Sequence, residues 1–287
     1  MAKIGVQMMM LKKKVEELGV YKVLEELSNI GLTSIEISQI PMTKENVLEF
    51  KKAIKDFNIT VAAMSASLAP MGEGMKGETL KTDYEKIVSD CKELGCNFLR
   101  IGMLPFPAMV SLEKIVEFAK DANKMANRLL KDGIKLYYHN HHIEFEKVNG
   151  KYVLDIIREN APDIGFELDV HWVQRGGENP VNIIKKYAGK VDLLHLKDYK
   201  VVRVDMKALD YLAKGDAKGF MQEFTNVVRF AEVGEGSLDF KSIIDVGVES
   251  GVKHLLIEQD DTYGVDPFES LKISKDNLIK LGYEKYL

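Results

Sequence analysis

The chain has little of what marks a secreted, membrane-spanning or nucleic-acid-binding protein. It has only two cysteines in 287 residues, Cys91 and Cys96, five positions apart in a segment that reads as a helix end. Neither a disulfide framework nor a C-x-x-C metal or redox pair exists, and both read as small buried hydrophobes. Neither sign of charge dominates: 40 Lys and Arg stand against 44 Asp and Glu, a formal net charge of −4. With no basic arm or acidic tail, no nucleic-acid partner is expected. The longest stretch without a charge, Phe57–Gly72, is interrupted by Ser65, Ser67 and Pro70 and is shorter than the roughly 20 residues of a membrane span. No membrane partner is expected either. Near the N-terminus the apolar Ile4–Leu11 precedes Lys12, Lys13 and Lys14. This reverses the charge order of a signal peptide, so the expected location is cytoplasmic. No G-x-G-x-x-G follows the first strand-like run, which removes the simplest argument for a dinucleotide fold.

The chain does carry 46% hydrophobic and 29% charged residues, the composition of a globular chain with a large core. Short β-branched runs alternate with longer stretches of helical period. Strands are predicted at Lys3–Met8, Ser34–Ile37, Thr60–Met64, Phe98–Gly102, Ile134–His139, Ile164–Val170, Asp192–Leu196 and His254–Glu258. Thr43 caps a helix running to Phe57, Thr79 or Thr82 opens one to Leu94, and Ser111 opens one to Leu130. Gly31, Gly95, Gly133 and Gly251 each follow a helical stretch and precede a strand, where a left-handed C′ residue belongs. Eight such strands alternating with helices predict a single-domain α/β fold over 1–287, a (β/α)8 TIM barrel. Two long connections, 65–78 and 198–237, leave strand C-termini and are expected to lie over the active face.

In a barrel the chemistry sits at the C-terminal ends of strands. The second predicted strand offers Glu36. The fifth offers His139 and His141, with His142 and Glu144 just beyond. The sixth offers Glu167, Asp169 and His171, the seventh His195, Lys197 and Asp198, and the eighth Glu258, Asp260 and Asp261. Five of the six histidines are in this set. Residues two apart in a strand share a face, so His139 points with His141, Glu167 with Asp169, and His195 with Lys197. A buried imidazole or carboxylate must bind a metal, pair or work. Imidazole with two or three carboxylates is the ligand set of Mn²⁺, Mg²⁺, Co²⁺ or Zn²⁺. The alternative for Asp169, His195 and Glu258 is a set of buried salt bridges and capping hydrogen bonds.

The segments KLYYHNHHIEF, FELDVHW, LLHLKD, VGEGSLDF and LIEQD resemble the strand ends of the xylose-isomerase-like TIM barrels. That family includes sugar epimerases, inosose isomerases and dehydratases, and AP endonucleases. The resemblance implies a divalent metal, with manganese the first choice, held by Asp169, His195, Glu258 and a residue of the fifth strand. There the family commonly has Glu, and this chain has His139. The family's epimerases use the fifth- and eighth-strand glutamates as the acid/base pair. With His139 in place, Glu258 keeps that double role, His141 becomes the candidate base, and Glu144 a carboxylate supplied from the loop.

Each remaining position has two readings. Glu36 orients a sugar hydroxyl or is the buried partner of a lysine. His171 supports Asp169 on the same face or simply packs. Trp172 stacks on an apolar sugar face or belongs to the core or rim. Lys197 binds a substrate oxyanion or pairs with Glu167. Gly234 and Gly236 form an amide nest for a phosphate, or a tight turn before a helix capped by Ser237. Met8, Met9 and Met10 read as core and strand end.

The resemblance implies an isomerase or epimerase acting on a sugar, sugar phosphate or keto-sugar through an enediolate. The alternative keeps the metal but ends in elimination, as in a dehydratase or lyase of a keto-sugar or inosose. An AP-endonuclease-like activity and a non-catalytic sugar-binding barrel are remote, and self-association into a homo-oligomer stays open.

Overall fold

A computed structural model describes residues 2–287. The eight predicted strands all form. They are β1 (Lys3–Gln7), β2 (Ser34–Ile37), β3 (Thr60–Ser65), β4 (Phe98–Ile101), β5 (Lys135–His139), β8 (Gly165–Asp169), β9 (Val191–Leu196) and β12 (His254–Ile257). They close into one barrel in the order β1-β12-β9-β8-β5-β4-β3-β2, with parallel pairing throughout. Two short ribbons stand outside it: β6 (Lys147–Val148) with β7 (Lys151–Tyr152), and β10 (Asp198–Val201) with β11 (Val228–Ala231). All four residues of β2 and all five of β8 are buried, as strands covered on both faces must be.

The helices between the strands are α1 (Lys12–Leu18), α2 (Val20–Ile30), α3 (Lys44–Phe57), α4 (Tyr84–Glu93), α5 (Leu112–Lys131), α6 (Val153–Asn160), α7 (Val170–Arg175) and α8 (Pro180–Lys186). They are followed by α9 (Lys207–Ala213), α10 (Ala217–Thr225), α11 (Phe240–Glu249) and α12 (Pro267–Lys280). Thr43 and Ser111 cap α3 and α5 through their side chains. Two expected caps are corrected. The residue before α4 is Asp83 rather than Thr79 or Thr82, because Thr79, Thr82 and Asp83 bond one another in the preceding turn. Asp239, not Ser237, caps α11 by accepting from the Ser242 amide. Gly31, Gly95, Gly133 and Gly251 all have positive φ, as the turn from helix to strand requires. Both cysteines are buried and free. No helix of the described residues is long and apolar enough to cross a membrane.

Two apolar regions fill the molecule. The larger lies between strands and helices and includes Ile4, Val6, Leu24, Leu99, Phe166 and Leu255. The smaller lies inside the barrel, where Ala62, Ala63, Tyr137, Leu193 and Leu256 meet beside Phe98. Gly165 makes room for the Tyr137 ring, which a Cβ there would strike. The Tyr137 hydroxyl donates to Asp192, which also pairs with Lys135 and Lys253. This plug fills the N-terminal end of the barrel and separates the Asp192 ion pairs there from the polar side chains at the C-terminal mouth.

The stretch 198–237 is not an open loop. It folds into the β10–β11 ribbon carrying α9 and α10. Its base is tied by Asp198, which is buried and accepts from the backbone amides of Tyr199, Gly234, Gly236, Ser237 and Leu238 at 2.8–3.2 Å. Of the two readings of the glycine turn, a phosphate nest or a tight turn before a helix, the turn is the one that forms. Its amides hold the Asp198 carboxylate, and a Cβ on Gly236 would collide with that group. Asp198→Ala strands those amides and should lower unfolding stability by about 2–4 kcal/mol. Gly236→Ala should destabilise as well. Urea titration of the two variants checks both, and wild-type midpoints would show that the nest does not anchor the ribbon.

Candidate active site

Strand register decides which side chains meet at the barrel mouth. Asp169 lies level with His195, and His195 with Leu256. His139, Asp169, His195 and Glu258 are thereby brought together, all buried, each offering one donor atom within 4.8 Å of the others. His139 Nε2 is 3.1 Å from His195 Nδ1 and 3.7 Å from Asp169 Oδ2. His195 Nδ1 is 4.0 Å from Asp169 Oδ2 and 2.6 Å from Glu258 Oε2. Donors on a shared ion with bonds of about 2.1 Å sit about 3.0–3.4 Å apart, which is the middle of this range.

Each carboxylate in the group has one oxygen pinned and one turned toward the other donors. Asp169 Oδ1 caps α7 by accepting from the Trp172 amide at 3.0 Å, and Glu258 Oε1 accepts from Gln7 Nε2 at 2.9 Å. Asp169 Oδ2 has no hydrogen-bond partner, and the one close polar neighbour of Glu258 Oε2 is His195 Nδ1 at 2.6 Å. The Asp169 amide is itself held by Asn140 Oδ1 at 3.1 Å. His139 Nδ1 donates to the Gly102 carbonyl at 3.2 Å, which leaves the Nε2 lone pair facing the group. Burial, then His195 and Arg100, keep His139 neutral. An orphaned Asp169 oxygen, a Glu258 oxygen turned toward His195 and an aimed imidazole lone pair fit a cation with mixed nitrogen and oxygen ligands.

Beneath this group lies a second polar layer. His195 Nε2 is 3.2 Å from both Glu36 Oε2 and Glu167 Oε1. Arg100, 5% exposed, reaches Glu36 at 2.8 Å, Glu167 at 3.1 Å and Ser38 Oγ at 3.0 Å. Burial and the Glu36 charge push the Glu167 carboxyl up to about 8. Burial acts the same way on Glu36, but Arg100 and His195 outweigh it and hold that carboxyl below the usual range. Of the two, Glu167 is the one more readily protonated. His195 is pulled two ways: burial lowers it, but Glu167, Glu258 and Glu36 together hold it well above the ordinary imidazole value.

A cavity of about 800 Å³ opens above the group, lined by Gln7, Ser38, Ser65, Arg100, His139, His141, Lys197, Glu258 and Asp260, among others. Lys197 Nζ is 2.6 Å from Asp260 and 3.6 Å from both Asp169 Oδ2 and Glu258 Oε2. Burial alone would lower Lys197, but Glu258, Asp169 and Asp260 keep it an ammonium. His141 presents an unpartnered Nδ1. Burial and His139 push its pKa down to about 3, so it is a neutral ring and a weaker base than an imidazole titrating near neutrality.

Several expectations change. Glu144 does not enter the cavity: its oxygens accept from the Tyr138 hydroxyl at 2.5 Å and the His141 amide at 2.7 Å, so it shapes the loop beneath His141. Glu36 is fully buried and reaches no substrate space. Its partner is an arginine from β4, not a lysine. Lys197 pairs with Asp260, Asp169 and Glu258 rather than Glu167. His171 and Trp172 stand behind the cavity wall. His171 packs edge-on against Trp172 and Tyr199, and Trp172 against His141, His142 and Phe230. The sequence reading passed over Arg100, Gln7 and Asn140, and gave Asp260 no role. Arg100 had a signal, since it is the one charge in the apolar strand FLRI.

Arg100→Met leaves two buried carboxyls without their cation. It should cost about 3–5 kcal/mol of stability in thermal or urea unfolding. A loss under about 1 kcal/mol would mean that His195 alone neutralises the layer.

Comparison with known proteins agrees with this architecture. The description "xylose isomerase-like TIM barrel" matches residues 24–274. An inosose dehydratase of Clostridium botulinum is 30% identical over 156 residues, 50% of this chain and 46% of that protein. The matched segment thus spans about half of that relative's length. An inosose dehydratase of Clostridium perfringens is 25% identical over 250 residues, 85% of this chain and 74% of that one. Among solved structures, a sugar phosphate isomerase/epimerase from Parabacteroides distasonis has a TM-score of 0.73 at 18% identity, with 98% of each chain covered. An L-ribulose 3-epimerase has a TM-score of 0.69 at 16% identity, covering 100% of this chain and 96% of that one. At these identities the structures share a fold. The family match spans most of the barrel, and the chain belongs to the xylose isomerase-like TIM barrel family.

Proposed function

We propose that this protein is a divalent-metal-dependent isomerase or epimerase of a sugar, sugar phosphate or keto-sugar, acting through an enediolate. The observation that carries this reading is the convergence of His139 Nε2, Asp169 Oδ2, His195 Nδ1 and Glu258 Oε2, with Asp169 Oδ2 unpartnered, at the floor of a cavity lined by hydrogen-bonding groups. A bound divalent ion, manganese by preference, supplies Lewis acidity that polarises a substrate carbonyl and acidifies the neighbouring C–H. The protein's own groups do the rest. Gln7, Ser38, Ser65 and Arg100 face the cavity from β1 to β4 and offer donors to sugar hydroxyls. His141 offers a neutral nitrogen for the departing proton. Glu258, with one oxygen held by Gln7, can share that work. Lys197 offers an ammonium proton to a developing oxyanion.

One observation favours a second reading, elimination of water from a keto-sugar or inosose. His141 and Lys197 both pack near Trp172, at ring-centroid distances of 5.6 and 5.0 Å, so base and acid reach substrate from the same arc of the mouth. Inverting a carbon needs groups on opposite faces, whereas isomerisation by a shuttled proton, or loss of water, needs one face only. The dehydratase names of the curated relatives point the same way.

Elemental analysis of protein purified without chelator should find one divalent ion per chain. Asp169→Ala and Glu258→Ala should abolish it with the fold intact by circular dichroism, and His139→Glu should retain it. A metal-free wild type that takes up no Mn²⁺, Co²⁺ or Zn²⁺ would refute the site.

His141→Ala should keep the ion and lose turnover by roughly 10²–10⁴-fold. In deuterated buffer, a panel of keto-sugars should incorporate deuterium at the carbon next to the carbonyl. Product analysis then divides the readings, since only elimination yields a dehydrated product. Full-rate exchange by the metal-free protein would overturn both.

A further inference from the structure

The cation seat proposed above has a competitor built beside it. Lys197 is 2% exposed and stands 3.6 Å from Asp169 Oδ2 and 3.6 Å from Glu258 Oε2, the two carboxylate oxygens turned toward the cation seat. Charge-assisted bonds form at about 2.8 Å, so a movement under about 1 Å would bring the ammonium onto both. What holds it off is visible. Asp260 Oδ1 takes Nζ at 2.6 Å from the cavity side, and the rings of Trp172 and Phe230 lie 5.0 and 5.3 Å from Nζ. The strand end carrying Asp260 is itself fixed. Gln259 donates to the Asp261 carbonyl at 2.9 Å and accepts from Ser270 Oγ at 2.9 Å.

We infer that Asp260 is a positioning residue that draws the Lys197 ammonium away from Asp169 Oδ2 and Glu258 Oε2 and so keeps both oxygens free for a divalent cation. The inference rests on the metal reading above. Without Asp260 the strongest partners left to the ammonium are those two oxygens, and a cation entering the site must displace it. Asp260 would then govern metal affinity without touching the metal.

A double-mutant cycle on the metal-stripped protein, titrated with Co²⁺ alone by equilibrium dialysis and visible absorption, tests this. Asp260→Ala should weaken Co²⁺ binding about 10–100-fold, the usual cost of losing an outer partner. In a Lys197→Met background the same change should cost less than about threefold, because no ammonium is left to collapse. Asp260→Asn keeps an oxygen for Nζ and should stay within about threefold of wild type. If Asp260 acts only through its charge, Ala and Asn will weaken binding alike, and by the same factor with or without Lys197. That result overturns the inference, as does wild-type affinity in Asp260→Ala. Should Asp260→Ala fail to fold by circular dichroism, Asp260→Ser takes its place in the cycle. A wild type that binds no Co²⁺ removes the metal reading and this inference with it, an outcome distinct from a wild type that binds while the variants show no coupling.

Discussion

The imidazole of His195 joins two acidic layers that could not otherwise be stacked inside a barrel. Its Nε2 faces Glu36 and Glu167, its Nδ1 faces Glu258 and Asp169, and it is fully buried. Burying carboxylates in an apolar barrel is costly unless each has a cation or donor. With Asp260, five acidic groups crowd this core, and burial with the Glu36 charge pushes Glu167 toward its protonated form. Arg100 and Lys197 answer them with two cations, and the surrounding carboxylates draw His195 toward its charged form. The acidic groups outnumber these partners, so a further positive charge between Asp169 and Glu258 would be stabilised there.

The barrel mouth sorts its groups by arc. The strands β5, β8, β9 and β12 carry His139, His141, Asp169, Lys197, Glu258 and Asp260, while β1 to β4 carry Gln7, Ser38, Ser65 and Arg100. This division follows from closure. Since β12 pairs with both β1 and β9, Gln7 can reach Glu258 across 251 residues of sequence and leave its other oxygen facing inward.

Most of the fold was legible because parallel strands covered on both faces read as short apolar runs, and because a left-handed glycine marks the return from helix to strand before β2, β4, β5, β9 and β12. The cluster of histidines at strand ends was legible for a related reason, since imidazoles in apolar strands need a purpose. Partners across the barrel were not. Lys197 shares a face with His195, and Glu167 with Asp169, which suggested that Lys197 and Glu167 would meet. Register places Glu167 level with Leu193 and Ile257 level with Leu196, so Lys197 sits a full layer above Glu167 and beside Glu258. Glu144 misled for a local reason: three residues after His141, it is consumed by the turn that follows β5. Arg100 and Gln7 carry no metal-ligand signature in the sequence, yet a buried acidic layer needs cations and donors as much as ligands.

This asymmetry constrains how a substrate can lie. On the function proposed above, the β1–β4 arc would bind hydroxyls and the opposite arc would move the proton, so a polyhydroxylated carbonyl compound spanning the cavity would present one face to the wall formed by His141, Lys197 and Glu258. Lys197 is an ammonium because three carboxylates surround it, and His141 is neutral because burial and His139 outweigh its acidic neighbours. The two therefore start with opposite tasks fixed, one able only to give a proton and the other only to take one. A reaction that removes a proton beside a carbonyl and delivers one to an oxygen on the same side uses both as they stand. A reaction that inverts a carbon would need a second acid from the β1–β4 arc, where Arg100 is the charged group nearest the cluster and is already committed to Glu36 and Glu167.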